Sequence, residues 1–277
     1  MEFQELTIVI VTYKSEEKIA KCLSSIPDRI PVIVVENSTN ENFKKKIENN
    51  FKNVICVLSG ENYGYAVANN IGLKLAKTKY ALILNPDTIL DKNVIINFFA
   101  SINKNQDFWL MGPGNDQMVN VDFKNNNLKE VNSLKGFAVF FNISKFNNKY
   151  FDEKFFLFFE EIDFCRRVKK SGGKIYLNKD IVIKHEGASS VSKHNVLELE
   201  KNRNWHWMWS TFYYQKKHKG FLLALIITFP KLFSALIKTL FFSLIFNNKK
   251  RDIYFYRLSG LFNSIIGKKA WYRPAID

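Results

Sequence analysis

The chain has 277 residues, 47% hydrophobic and 24% charged, with a formal net charge of +15 at pH 7. That apolar share can bury one large core with room for a smaller C-terminal appendage, and it excludes a disordered chain. Cys22, Cys56 and Cys165 are odd in number, far apart and without C-x-x-C spacing. This excludes a disulfide framework and a cysteine metal site, and it reads as buried thiols in a reducing compartment.

The chain begins M-E-F-Q-E-L, without the basic and apolar regions of a signal peptide, so cytosolic residence is expected. Leu6 to Val11 is a short β-branched run ending at Thr12-Tyr13, and Ser15 to Ser25 follows with helical spacing. Pro31 to Val35 repeats the strand signal and stops at Glu36-Asn37-Ser38. Phe43 to Phe51 reads as a charged helix and Val54 to Leu58 as a third strand. This alternation predicts an α/β fold: a mostly parallel sheet with helices on both faces, binding ligands at the carboxyl ends of its strands. Thr12, Tyr13, Glu36 and Asn37 are therefore candidate ligand contacts.

Glu61 to Gly72, E-N-Y-G-Y-A-V-A-N-N-I-G, is a loop entering a helix that runs to about Lys77. It is neither a dinucleotide fingerprint nor a P-loop. Asn62, Asn69 and Asn70 among small residues suit the close approach of a sugar or phosphate, and a capped helix explains them equally. Tyr80 to Leu84 is a buried strand stopped by Asn85-Pro86-Asp87-Thr88. That stop sets Asp87 at the carboxyl edge of a central strand, where one carboxylate can share a hard cation with a diphosphate; a plain N-P-D turn is the alternative. Lys92 to Asn103 is the next helix.

Gly112 to Lys135 is Asn-rich and irregular, reading as a mobile surface loop or an edge hairpin. Lys135-Gly136 opens an apolar strand, Phe137 to Ile143. Phe155 to Arg167, F-F-L-F-F-E-E-I-D-F-C-R-R, then sets Glu160, Glu161 and Asp163 behind an apolar run that looks like core or pocket lining. A carboxylate leaving such surroundings can have its pKa raised. The same residues also describe a helix with acids in its first turn, cations in its last and Gly172-Gly173 as its stop. Lys174 to Leu177 and Ile181 to Ile183 are short strands, the second ending at His185, a metal ligand or a structural histidine. His194, His206 and His218 lack such a context and read as surface or structural residues.

Taken in order, V-T-Y at 11–13, V-V-E-N-S at 34–38, N-Y-G-Y-A-V-A-N-N-I-G at 62–72, L-N-P-D-T at 84–88, the 151–167 stretch and K-H-E-G-A-S-S at 184–190 carry a family likeness. The chain resembles the inverting family 2 glycosyltransferases of the GT-A fold, and within them the rhamnosyltransferase-like members, over about residues 5 to 210. The resemblance implies a nucleotide-diphosphate sugar donor, with dTDP-rhamnose first and UDP-hexoses or a galactofuranose donor behind it. It implies that Asp87 and His185 ligate a divalent cation, Mn²⁺ or Mg²⁺, on the donor diphosphate, with Asn85 near the ribose. Thr12, Tyr13 and Glu36 would line the nucleobase pocket, and Asn62, Gly64, Asn69 and Arg203 would complete the donor side. Glu161 would be the general base, with Gly136, Glu160 and Asp163 on the acceptor side. The chain departs from the family in having Glu rather than Asp at 36 and at 161, each longer by one methylene.

The basic character is concentrated at the end. Residues 201–277 carry 14 Lys and Arg against two acids, whereas residues 1–200 carry 27 against 24. Residues 201–219 read as a helix dense in Trp and Tyr, and residues 221–246 form a long apolar region interrupted by Pro230, Lys231 and Lys238. The length suffices to span a bilayer. Flanking clusters K-K-H-K and N-N-K-K-R, with aromatics at the edge, favour a helix lying in the interface of an anionic membrane; an oligomer core is a further reading. The expected organisation is a catalytic domain over 1–210 and a membrane-associating helical region over 211–277, peripheral on the inner face of the cytoplasmic membrane. There it would meet a glycan or a polyprenyl-diphosphate-linked glycan as acceptor. Nucleic-acid binding is disfavoured by the near-neutral first 200 residues. A silent sugar-binding protein would keep the fold without Asp87, Glu161 and His185 acting together.

Overall fold

The computed structural model describes residues 2–104, 107–115, 123, 126–185 and 196–273. The end of the 184–190 motif and His194 lie outside these residues. The chain folds as two compact units, Met1–Asp152 with Glu161–Ser190, and Glu153–Glu160 with Val191–Asp277.

The first unit is the α/β domain. Its chain order is β1 (Leu6–Thr12), α1 (Glu16–Ser24), β2 (Val32–Glu36), α2 (Glu41–Asn50), β3 (Val54–Leu58), α3 (Gly64–Leu75), β4 (Tyr80–Leu84), β5 (Thr88–Leu90) and α4 (Lys92–Lys104). Then follow β6 (Phe108–Pro113), β7 (Leu128–Glu130), β8 (Ala138–Asn142), α5 (Glu160–Lys170), β9 (Lys174–Asn178) and β10 (Ile183–His185). The main sheet has the order β3-β2-β1-β4-β8-β6-β9-β7. β3, β2, β1 and β4 are mutually parallel, and β8 runs antiparallel to both β4 and β6. The sheet is thus mixed, and in its parallel half the near-continuous apolar runs of β1, β2 and β4 are buried on both faces. A second, two-stranded sheet pairs β10 antiparallel to β5, setting His185 opposite Thr88.

β5 and β6 are additions to the predicted elements, and β7 supplies an edge strand within the Asn-rich stretch, antiparallel to β9. The core joins Ile8, Ile10, Val34, Leu82, Phe98 and Phe140. The rings of Phe98 and Phe140 stack at 4.0 Å. All three cysteines are buried, and burial raises the thiol pKa to about 11 for Cys22 and about 12 for Cys56 and Cys165.

The second unit is built from α6 (Val196–Lys219), α7 (Phe221–Leu244) and α8 (Asn248–Ile265). The expected boundary at 210/211 falls inside α6, because one continuous helix carries both the aromatic segment and the first basic cluster. α8 crosses α6 closely: a Cβ added at Gly260 would lie 2.1 Å from the Trp205 carbonyl oxygen, so only glycine fits. The indoles of Trp205 and Trp209 donate to Ser259 Oγ and the Lys268 carbonyl.

His206, at the centre of this unit, is fully buried, stacks on Phe156 and bonds through Nε2 to the Tyr272 carbonyl at 2.9 Å. Burial lowers its pKa to about 3. The ring is therefore neutral with its proton on Nε2, a structural histidine as read from the sequence. The phenylalanine run preceding α5 also belongs to this unit. Phe155 meets Tyr213, while Phe158 and Phe159 meet Trp207. The run expected to line core or pocket thus packs on α6, since its rings find aromatic partners there.

Candidate active site

The carboxyl ends of β1, β2 and β3 and the start of α3 form one hydrogen-bonded cluster in the first unit. β2 ends in Glu36, whose carboxylate accepts from Thr12 Oγ1 and, at 2.6 Å, from Ser38 Oγ. Glu36 is buried, and burial raises its pKa against the opposing effect of those two hydroxyls.

Asn37 organises what lies next to it. Its Nδ2 donates to Asn62 Oδ1 at 3.0 Å and the Gly64 carbonyl at 3.2 Å, and its Oδ1 accepts from Ser59 Oγ and the Tyr63 amide, each at 3.1 Å. Asn62 Oδ1 also accepts from the Gly64 amide. Gly64 begins α3 at φ +84°, a left-handed conformation that an L side chain adopts only under strain. Of the flanking asparagines, Asn70 clamps the backbone of Phe151 through both side-chain atoms. Asn69 is fully buried, donates to the Tyr65 carbonyl, and has no hydrogen-bond partner for Oδ1 among the described residues. Tyr13 stands half-buried just beyond β1.

The turn after β4 places the candidate metal pair. Asn85 donates its amide to the Phe137 carbonyl, and its own carbonyl accepts from Thr88 Oγ1 at 2.7 Å. This tight turn projects Asp87, and the β5–β10 pairing brings His185 back to it, with Nε2 3.3 Å from Asp87 Oδ1. The His185 ring stacks on Phe137, centroids 4.8 Å apart. A carboxylate and an imidazole at this spacing fit two adjacent ligand positions of a small divalent cation. Among the described residues no third His, Cys, Asp or Glu joins them.

The acidic helix supplies the remaining groups. Glu161, in the first turn of α5, has its Oε2 buried without a hydrogen-bond partner among the described residues, and burial raises its pKa. An added Cβ at Gly136 would lie 3.7 Å from Glu161 Cβ, so the two residues abut. The Tyr65 hydroxyl donates to the Gly136 carbonyl. Asp163 is fully buried and holds Arg167 Nε at 2.8 Å; Arg167 also donates to the Tyr150 carbonyl. Asp163, expected on the acceptor side, is thus engaged with Arg167. Glu160 is buried and belongs to the second unit, where Arg203 is exposed on α6.

Gly136 and Phe137, consecutive in sequence, touch the base candidate and the metal pair respectively, so both lie at the entry to β8. Tyr65, Ser38, Ser59 and Phe137 are not among the residues the sequence singles out. Ser38 follows two candidate residues at a strand end, which is a usable signal; the other three act through contacts distant in sequence.

A mixed sheet of this strand order with helices against it is a GT-A-like fold. Solved structures share it. S. aureus TarS 1–349 in complex with UDP-GlcNAc matches with TM-score 0.53 and 16% identity over 98% of this chain and 93% of that one. GalNAc-T7 with UDP, GalNAc and Mn²⁺ matches with TM-score 0.54 and 12% identity over 78% and 51%. Residues 7–166 match the family described as Glycosyl transferase family 2, and the chain belongs to that family.

Among curated relatives, the low-salt glycan biosynthesis hexosyltransferase Agl10 of Haloferax volcanii is 28% identical over 193 residues, 60% of this chain and 62% of that protein. The teichoic acid poly(glycerol phosphate) polymerase of Staphylococcus epidermidis is 31% identical over 107 residues, 36% of this chain and 15% of that one. The chain thus spans less than two thirds of either relative.

Proposed function

We propose that the chain is an inverting hexosyltransferase that moves a sugar from a nucleotide-diphosphate donor to a glycan or polyprenyl-diphosphate-linked glycan. L-rhamnose from dTDP-rhamnose is the first choice of donor, on the motif resemblance. A UDP-sugar is the second, favoured by the UDP-GlcNAc bound to TarS and the hexosyltransferase name of Agl10. The observation that carries the reading is the Asp87–His185 pair at 3.3 Å, joined through Phe137 and Gly136 to Glu161.

In this reading Thr12, Tyr13 and Glu36 face the nucleobase. Both Glu36 oxygens already accept from protein hydroxyls, and each keeps a lone pair for one further donor. Asn37 holds the loop of Asn62 and Gly64 in shape for the donor. Asp87 and His185 would hold Mn²⁺ or Mg²⁺, which when bound offsets the negative charge of the diphosphate. Asn85 would stand near the ribose. Glu161 takes the proton of the acceptor hydroxyl as that oxygen forms its bond to the anomeric carbon. The bond from that carbon to the diphosphate oxygen breaks on the opposite face, inverting the centre. A base with a raised pKa suits this step, since it accepts the proton more readily.

The test is a panel of nucleotide sugars with Mn²⁺ or Mg²⁺, scored by release of nucleoside diphosphate in the presence of lipid-linked acceptors. Release from dTDP-rhamnose alone supports the first donor and release from a UDP-sugar the second. Release from none removes the assignment.

A further inference from the structure

The second unit carries a feature that the transfer chemistry does not use. Along α7, Leu222, Ile226, Phe229, Phe233, Leu240 and Leu244 recur at intervals of three, four or seven residues and are all exposed. At 100° per residue they fall on one face. The buried residues of the same helix, Ala224, Thr228 and Ala235, are small and lie on the opposite face, where α7 packs within its unit. The helix thus turns its small residues inward and its large apolar ones outward, the reverse of a soluble bundle.

Charge says what covers this face. Lys216, Lys217 and Lys219 are exposed just before α7, and Lys249 and Lys250 just after it. In a symmetric pair of chains, two such faces would bring basic clusters together, whereas an anionic surface would neutralise them.

The packing also says how the helix lies. Phe242 of α7 stacks on Tyr254 of α8 at 5.6 Å, Lys238 covers the same Tyr254, and Lys250 covers Phe242. α8 bears Lys249, Lys250, Arg251, Asp252 and Arg257. α7 is long and apolar enough to cross a membrane by length and composition. Crossing in this packed form would carry the charges of α8 into hydrocarbon, which is costly.

We propose that the outer face of α7 docks on an anionic lipid bilayer and lies in the interface without crossing it. The inference is independent of the donor and of the transferase reading.

The experiment uses the full chain and preformed vesicles of phosphatidylcholine with or without phosphatidylglycerol. Flotation with the anionic vesicles is expected, weakening at high salt and falling at least about tenfold in the Phe229→Asp/Phe233→Asp variant. Both residues are exposed, and an unchanged circular dichroism melt verifies the fold. Equal binding to neutral vesicles, or unchanged binding of the variant, overturns the proposal. So does a soluble dimer that this variant dissociates, without vesicle binding by the parent.

Orientation is read separately with Lys219→Cys and Lys250→Cys, single variants in a chain whose own cysteines are buried. A membrane-impermeant maleimide added outside should label both positions. Protection of one of them until detergent is added means that α7 crosses, and overturns the proposal.

Discussion

Phe137 lies against the imidazole of His185, the two planes 14° from parallel. The ring holds the histidine in the orientation that aims Nε2 at Asp87. Replacing Phe137 by Leu is expected to raise the Mn²⁺ concentration for half-maximal activity about tenfold, as for partners that orient metal ligands, with kcat at saturating metal little changed. Metal titration of the steady-state rate checks this, and an unchanged requirement counts against the orienting role.

As a proposed metal ligand, Asp87 has the more direct task. Asp87→Asn is expected to lower kcat by at least about a hundredfold, the scale for loss of a charge-stabilising group. In the parent, EDTA should abolish nucleoside diphosphate release and Mn²⁺ or Mg²⁺ restore it. Full activity in EDTA would refute metal dependence.

As the proposed base, Glu161 must be ionised to accept a proton, and burial raises its pKa above the usual 4.5. The rate should therefore fall as pH drops through that raised value, placing the acid limb of kcat/KM above 4.5. Glu161→Gln is expected to lose about 10²- to 10⁴-fold in rate while still binding the nucleotide. Glu161→Asp, the residue usual in the family, should keep part of the activity. Isothermal titration with the nucleoside diphosphate separates binding from turnover.

Asn37 makes four hydrogen bonds across three segments. Asn37→Ala leaves several of these partners unsatisfied and is expected to cost about 2–3 kcal/mol. Urea unfolding measures that loss, and nucleotide affinity should fall with it because the Asn62–Gly64 loop loses its anchor.

His206 gives the second unit an acid sensitivity. Its folded pKa, about 3, is depressed below the ordinary 6.5, so between these values the unfolded chain binds a proton that the folded chain does not. Stability is full above pH 6.5 and declines as pH falls, by at most about 1.4 kcal/mol per pH unit from this residue. Trp205, Trp207, Trp209 and Trp271 all lie in this unit, so tryptophan fluorescence should report its melting. His206→Phe should flatten the dependence; an unchanged slope would assign it elsewhere.

Much of the first unit is legible because its strands are unbroken apolar runs halted by polar residues or proline, as Tyr80–Leu84 is by Asn85-Pro86. β5 and β7 are three residues each, too short for a period to show. β6, F-W-L-M-G-P, lacks β-branched residues, and α8 mixes cations, tyrosines and apolar residues without a clean stripe. In the candidate site, Asp87 and His185 can be named because each sits where a strand stops. Their meeting depends on the β5–β10 pairing, and the roles of Tyr65 and Phe137 on contacts that no local pattern encodes. The 155–159 run escapes placement for the same reason: five apolar residues announce burial but do not say against what.

Pro230 sits inside α7 and has no amide hydrogen, so the carbonyl of Ile226, one turn earlier, receives no helix hydrogen bond from it. On a bilayer that oxygen needs water or a lipid headgroup to bond with. In the proposed docking it draws a waterline across the middle of the helix: the flanking phenylalanines can sink only as far as the Ile226 carbonyl can stay wet.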